Sequence, residues 1–454
     1  MWTTLIAVAL AAAWAGWLAS GSTRRLDARV PGTDRADVPV QTRVMPQGQL
    51  TQGPGAAAQL EGSWPCFRGP RRDGVAHSDV PLRRQWPQDG PPVLWAIDVG
   101  EGYAGAAIHR GRVYLLDYDR EQQTDALRCL SFDDGREIWR YSYPVKVKRN
   151  HGMSRTVPAV TDRYVVTLGP KCHVLCVDTV SGEKRWMMDL VTEWGATVPP
   201  WYAAQCVLID DGLAILAPGG SALLIAVDCE TGDVKWQTPN PRGWKMTHAS
   251  IVPMEVDGHR MYVYCADRGV VAVSADDGRL LWETDQWRID IATVPSPVVI
   301  GDGRLFLSGG YNAGSMMLRV RRDGDGFTAE VLYRLEPTVF GATQHTPILT
   351  SGRLLGVRPD GQLACLSLDG RELWTSGPTA RFGLGPFMLV NDLLFVMNDS
   401  GLLTLADSAA SQYEPLAEAQ VLTGHEAWGP MAFADGRLIV RDLTRMVCLD
   451  VSNR

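Results

Sequence analysis

Short apolar runs alternate with turns along most of the chain, at a spacing of roughly 40–50 residues. Eight runs stand out: GRVYLLDYD (111–119), RYVVTLGPK (163–171), GLAILAPGG (212–220), HRMYVYCAD (259–267), GRLFLSGGY (303–311), GRLLGVRPD (352–360), DLLFVMNDS (392–400) and GRLIVRDLT (436–444). They are rich in β-branched, aromatic and leucine residues, and Gly or Asp bounds most of them, so each predicts a strand. A second strand follows each run, ending in triplets such as Cys129-Leu130-Ser131, Cys176-Val177-Asp178 or Ala226-Val227-Asp228. A tight turn with a glycine free to take positive φ then leads to a last strand.

That last strand carries a tryptophan. Gly135/Trp139, Gly182/Trp186, Gly232/Trp236, Gly278/Trp282 and Gly370/Trp374 are each four residues apart. Self-similarity at this period marks one supersecondary unit copied round an array, and units made of strands and turns predict an all-β, eight-bladed β-propeller of four-stranded blades. The tryptophan position runs 95, 139, 186, 236, 282, 333, 374 and about 422, with Tyr333 and Leu422 in two degenerate copies. Trp95 has no repeat of its own before it, and the last unit stops before its own tryptophan strand. Residues 92–98 are therefore expected to supply the missing outer strand and close the ring. Trp95, Trp139, Trp186, Trp236, Trp282 and Trp374 are expected to dock between blades, each ring filling a wedge while its N–H bonds a turn carbonyl.

The phrase Ala226-Val227-Asp228-Cys229-Glu230-Thr231-Gly232-Asp233-Val234-Lys235-Trp236 resembles, position for position, the A-x-D-x-x-T-G-x-x-x-W tryptophan-docking repeat of the pyrroloquinoline-quinone-like (PQQ-like) propellers. The copy ending at Trp186 differs by Cys for Ala and Ser for Thr, and the resemblance covers about residues 92–454. It implies eight blades, in agreement with the count of units. It also implies one of two branches: quinoprotein dehydrogenases, or a non-enzymatic outer-membrane assembly protein of the BamB type. A further segment, Trp64-Pro65-Cys66-Phe67-Arg68-Gly69-Pro70-Arg71-Arg72-Asp73-Gly74, resembles the W-P-x-F-R-G-P-x-R-D-G lead-in of many bacterial proteins of this class, and no role comes with it.

The 454 residues carry Lys+Arg 44 against Asp+Glu 51, a net charge of −7 with 21% charged residues. That is an ordinary soluble surface without the basic face that a nucleic-acid partner needs. Residues 2–19 contain no charge and Arg24 and Arg25 follow them, so residues 1–21 read as a signal peptide or an N-terminal membrane anchor. Either places the chain in the periplasm or cell envelope, with membrane contact only through that segment. Residues 22–61, rich in Pro, Gly, Gln and Ala, read as a disordered tether. The propeller then spans 62–454, with a lead-in at 62–91. The nine cysteines invite disulfides. Yet Cys129, Cys176, Cys365 and Cys448 share one repeat position with Ala226 and Ala272, which predicts small buried packing residues instead. Cys66, Cys206, Cys229 and Cys265 have no such account.

Loops joining one blade's outermost strand to the next blade's innermost strand open on one face, around the central channel, and function tends to live on such loops. The candidates there are Arg149, His151 and Arg155 in the first, which also holds Lys146 and Lys148; then Trp201 and Tyr202; Trp244, Lys245 and His248; Trp287 and Asp290; His345; Phe382; and Trp428. Each imidazole satisfies a neighbouring backbone group, recognises a ligand or takes part in metal or redox chemistry. Two functions fit. In the first, a non-catalytic, monomeric scaffold with no cofactor holds another envelope protein or peptide on this aromatic face. In the alternative, a PQQ-dependent oxidoreductase lays its quinone across the channel mouth with Ca²⁺ as the divalent cation. The adjacent Cys-Cys pair that the resemblance associates with such dehydrogenases is missing from this chain.

Overall fold

In the computed structural model, residue pairs at the tips of the hairpins set the pattern of the whole ring. Arg110-Gly111, Asp211-Gly212, Asp257-Gly258, Asp302-Gly303, Ser351-Gly352 and Asp435-Gly436 all have positive φ at both positions. These are type I′ turns, whose twist matches that of the flanking strands, and Asp-Gly is a favoured pair there. The structure describes Trp14 and residues 44–454, and from Val44 onward they belong to one compact unit. Apart from Trp14, the expected signal peptide or anchor lies outside the described residues, as does the start of the tether. No helix among the described residues is long and apolar enough to cross a membrane.

Eight antiparallel blades of four strands form the ring. Numbered from the first complete unit, blade 1 runs from Ala107–His109 to Glu137–Pro144 and blade 7 from Phe387–Val390 to Pro415–Gln420. Blade 8 takes Ala432–Ala434, Arg437–Arg441 and Arg445–Asp450 from the end of the chain, and its outer strand is Val93–Asp98. The closure expected from the orphan Trp95 is thus the one that forms.

The repeat phrase now has a physical reading. Trp95, Trp139, Trp186, Trp236, Trp282 and Trp374 pair across the strands with Cys448, Cys129, Cys176, Ala226, Ala272 and Cys365, and a bulge adjoins every one of these pairs. A small side chain opposite the indole leaves it room to lean outward to the next blade. In the turn, the Asp228 carboxylate accepts from the backbone N–H of Glu230 and Thr231, at 2.8 and 3.2 Å. Gly232 follows with φ 80°. A Cβ there would lie 2.8 Å from the Trp186 ring, and one at Gly182 would lie 2.5 Å from that of Trp139. Glycine is required twice over, by the backbone angle and by the indole of the preceding blade.

Two details depart from expectation. Only Trp95 and Trp186 donate their indole N–H to turn carbonyls, Phe132 at 3.1 Å and Cys229 at 2.9 Å. The N–H groups of Trp139, Trp236, Trp282 and Trp374 are buried without a hydrogen-bond partner. In blade 7 the docking position is Ala417, next to the bulge, and not Leu422, which lies beyond the outer strand. Trp86 of the lead-in stacks on Phe395 there, ring centroids 6.5 Å apart, as Trp139 packs on Tyr114 at 6.0 Å in blade 1. An aromatic from outside the repeat takes the place that the repeat left small.

All nine cysteines are buried. Cys206 and three hydroxyls link neighbouring blades: the N–H of Val157 reaches Cys206 Sγ at 3.3 Å, that of Cys206 reaches Ser250 Oγ at 3.0 Å, Ser250 reaches Ser296 Oγ at 2.9 Å and Ser296 reaches Thr346 Oγ1 at 2.9 Å. This chain of bonds satisfies backbone donors at the head of the inner strands from blade 2 to blade 6, where no sheet partner is available.

The segment before the ring is also structured. Gln49–Gln52 adds a fifth strand to the outer edge of blade 1, so the expected disorder of residues 22–61 does not extend through their last third. Residues 64–83 cross the end of the channel on the hairpin-turn side. Trp64 exchanges backbone bonds with Ile108 of blade 1, and Pro65 accepts from Val160 of blade 2. Val75–Ala76 pairs parallel with the inner strand of blade 7, and Arg83 N–H reaches Val451 beside blade 8. Arg68 donates to the carbonyls of Thr346 at 2.5 Å, Pro347 at 2.9 Å, Asp73 at 2.7 Å and Arg72 at 3.2 Å. Burial pushes its guanidinium down to about 10, still charged at neutral pH. Trp64 lies on Gly69, where a Cβ would stand 2.5 Å from the ring. The W-P-C-F-R-G-P motif is a plug, and the channel is blind at that end.

Candidate functional site

The open end is lined by the loops that enter each inner strand and, in blade 5, by the turn between Arg304–Gly309 and Gly314–Asp323. Bulky residues there sit in the left-handed region that favours glycine: His151 at φ 56°, Trp201 at 61°, Tyr202 at 73°, Tyr311 at 54° and Glu426 at 57°. Strain of this kind costs on the order of 1–3 kcal/mol per residue and concentrates at functional sites.

Arg155 lies among them. Its guanidinium stands over the Tyr103 ring at 4.9 Å. Its closest hydrogen-bond partner is the Asn150 carbonyl at 3.5 Å, and its Nε is shut off from solvent with no partner. Burial lowers it to about 10, and Tyr103, Glu426, Tyr202 and Tyr311 are close enough to raise it in part. Tyr103 donates to the Glu426 carboxylate, and its ring packs against Trp428 at 5.3 Å. Trp428 donates to Asp399 at 2.7 Å.

His248 donates from Nε2 to the carbonyls of Pro200 and Tyr202, both at 3.0 Å, and its ring tilts against Trp201 at 6.4 Å. Burial, then the charge of Arg155, pulls its pKa down to about 4. His345 donates to the Leu384 carbonyl at 2.5 Å, and burial, aided by the Arg68 charge, lowers it to about 4. Both imidazoles are neutral at pH 7 and serve backbone carbonyls.

The other expected face residues divide into two groups. Trp244, Trp287 and Phe382 are buried to 3% exposure, because their loops fold back and use the aromatics as packing. These three are corrected from surface to core. Tyr202 is buried as well, its hydroxyl bonded to the Lys148 carbonyl and its face covered by Lys171 at 5.0 Å. Lys245 and Asp290 are exposed, Asp290 in an ion pair with Arg288 at 3.0 Å. Arg149 pairs with Glu101 at 2.5 Å, and His151 stands 3.9 Å from Glu426. Lys146 and Lys148 are exposed, with no carboxylate partner among the described residues. Tyr103 and Tyr311 are mouth residues outside the loops that the repeat pattern points to. Tyr103 precedes the first repeat, and Tyr311 lies in the turn between two strands of blade 5.

A buried acid lies between blades 1 and 2. Asp125 accepts from the Tyr143 hydroxyl at 2.5 Å, while its other oxygen has no partner. Burial pushes its pKa up to about 7, against about 4 in an unfolded chain. The folded state therefore holds this proton more tightly. The resulting stability is complete below about pH 4 and is lost as pH rises through about 7. Asp125→Asn is expected to melt higher than the parent at pH 8, with the gap closing by pH 4. Thermal scans at the two values check it, and equal melting at pH 8 would refute the buried charge.

Known proteins agree with this architecture. Residues 123–369, more than half of the chain, match the family described as outer membrane protein assembly factor BamB. A stretch of 160 residues is 31% identical to the serine/threonine-protein kinase AfsK of Streptomyces griseus, and spans 34% of this chain but only 18% of the kinase. Among solved structures, BamB from Moraxella catarrhalis superposes with a TM-score of 0.54 at 13% identity, covering 79% of this chain and 99% of that one. Quinohemoprotein alcohol dehydrogenase from Comamonas testosteroni gives 0.59 at 12% identity, covering 86% and 81%. At such identities the two structures share the fold. With its eight closed blades, its docking repeat and its match over residues 123–369, the chain belongs to the PQQ-like β-propeller repeat family of the BamB type.

Proposed function

We propose that this protein is a non-catalytic propeller of the cell envelope that holds a protein or peptide partner at the open mouth of its channel. The observation that supports this most is what the mouth leaves unpaired. The imidazoles of His248 and His345 serve backbone carbonyls, Glu426 is taken by Tyr103 and Asp399 by Trp428. Positive charge at Arg155, Lys146 and Lys148 remains, together with the partly exposed rings of Trp201, Tyr311 and Trp428. Aromatic residues and Arg are the types that dominate binding surfaces. Among the described residues no three His, Cys, Asp or Glu side chains converge. The placement in the envelope rests on the apolar N-terminal run and on the family.

The test is photo-crosslinking in the intact envelope from position 311 and from position 201, with position 180 as control. Val180 is 57% exposed on the hairpin-turn side, away from the mouth. Adducts from the mouth positions alone are expected, and adducts spread equally over all three would remove the reading. Calorimetric titration with PQQ and Ca²⁺ examines the alternative, since saturable calcium-dependent binding with alcohol oxidation would replace a scaffold by an enzyme.

A further inference from the structure

Arg155 is a part-buried cation at the mouth, unlike the exposed Lys146 and Lys148. Arg155 has no carboxylate within ion-pair distance among the described residues, although its Nε is enclosed. A charged group partly withdrawn from water in this way favours a partner that completes it. Two other enclosed arginines are completed: the part-buried Arg68 by four carbonyls, and the buried Arg441 by the carbonyls of Asp442, Ala104, Gly100 and Leu443 at 3.0–3.1 Å. Arg155 alone of these three keeps donors in reserve, and it keeps them on the rim of a channel sealed below.

We propose that Arg155 receives a carboxylate carried on an apolar or aromatic body, which enters the mouth between Tyr103, Trp201, Tyr311 and Trp428. This rests on the reading of the mouth as a binding surface and gives that surface a ligand class. Three observations choose the class. The free edge of a guanidinium presents parallel N–H groups that match the two oxygens of a carboxylate side-on. Glu426 is close enough to act on Arg155 electrostatically, so the field suits a monoanion and repels a phosphate dianion. The rings give an apolar body flat surfaces to pack on, Tyr103 already lying against Trp428 and Trp201 against His248. Lys146 and Lys148 on the same approach loop draw an anion in over a chain whose net charge is −7. The carboxylate can come from the C-terminus of a protein partner or from a free aromatic acid, and the interaction with Arg155 is the same.

The full-length protein is titrated calorimetrically with four probes: N-acetyl-Gly-Ala-Phe with a free carboxylate, the same peptide as its C-terminal amide, phenylacetate, and inorganic phosphate. The free-acid peptide is expected to bind at least about tenfold more tightly than its amide, the range of a charge-assisted hydrogen-bonded pair. Arg155→Gln is expected to lose about tenfold or more of that binding, with Arg155→Lys between the two. Glu426→Gln keeps an acceptor for Tyr103 and removes a like charge, so it should tighten binding severalfold, an increase that damage to the fold would not produce. A peptide that outbinds phenylacetate identifies a protein terminus, and equal binding identifies a small acid. The proposal is overturned if the amide binds as well as the acid, if phosphate competes equally, if Glu426→Gln has no effect, or if no acid binds. Specific crosslinks from position 311 alongside any of those results would leave the scaffold standing and remove only its carboxylate ligand.

Discussion

Deletion of residues 91–100 is expected to abolish the cooperative unfolding transition of the whole ring. The segment supplies the outer strand of blade 8, Val93–Asp98, in register with Arg445–Asp450. Without it the second of those strands presents an unpaired edge, a template for aggregation. Trp95, 6% exposed, also leaves its place against Gly135, so blade 8 and blade 1 lose the wedge between them. The other seven blades would keep their local hairpins, but the ring would be open. Calorimetry decides the matter: a broad or absent transition fits closure by this strand, while a deletion variant that melts like the parent refutes it.

The docking tryptophans should differ in cost according to their burial. Trp139 is 1% exposed, between Tyr114 of its own blade and Gly182 of the next, and Trp139→Ala is expected to cost about 3–5 kcal/mol, as large aromatic truncations in a core do. Trp236 is only partly buried, although a Cβ at Gly278 would stand 2.3 Å from its ring. Trp236→Ala should therefore cost about half as much, since the loss scales with the area removed from water and with the cavity left behind. Denaturant unfolding of the two variants gives the ratio. Equal costs would mean that the cross-strand bulge, and not burial of the indole, sets the contribution of the repeat.

Much of the ring was legible because its determinants are local. The Asp, Gly and Trp of the repeat lie within nine residues of one another, and Asp228, Gly232 and Trp236 act through a turn, a backbone angle and one neighbouring blade. Closure was legible from an arithmetic mismatch, a tryptophan without a repeat and a repeat without a tryptophan. Blade 7 was misread because its last turn is longer and the ring on Phe395 comes from Trp86, more than 300 residues away. The loop face was half legible. Sequence places Trp244, Trp287 and Phe382 on the correct loops, but cannot tell whether a loop aromatic points outward or folds under as packing. Arg155 was named for its type, whereas its distinction, an enclosed Nε beside Tyr103, exists only in three dimensions.

The plug imposes an order of events on synthesis. Arg68 bonds Thr346 across 278 residues of chain, and Arg83 bonds Ser452 across 369. Both arginines emerge long before their partners exist. A blade can form its hairpins as soon as it has been made, but the channel is sealed only when the last two have arrived and wrapped around a segment made first. Contacts of such sequence separation are slow to form, because loop closure is unfavourable before they can stabilise anything. Until then the nascent chain carries two unsatisfied pieces at its leading end, the plug and the closing strand. A chain that crosses a membrane in that condition would need its N-terminal segment shielded until Asp450 has passed, and holding that end at the membrane or by a chaperone would provide the shield.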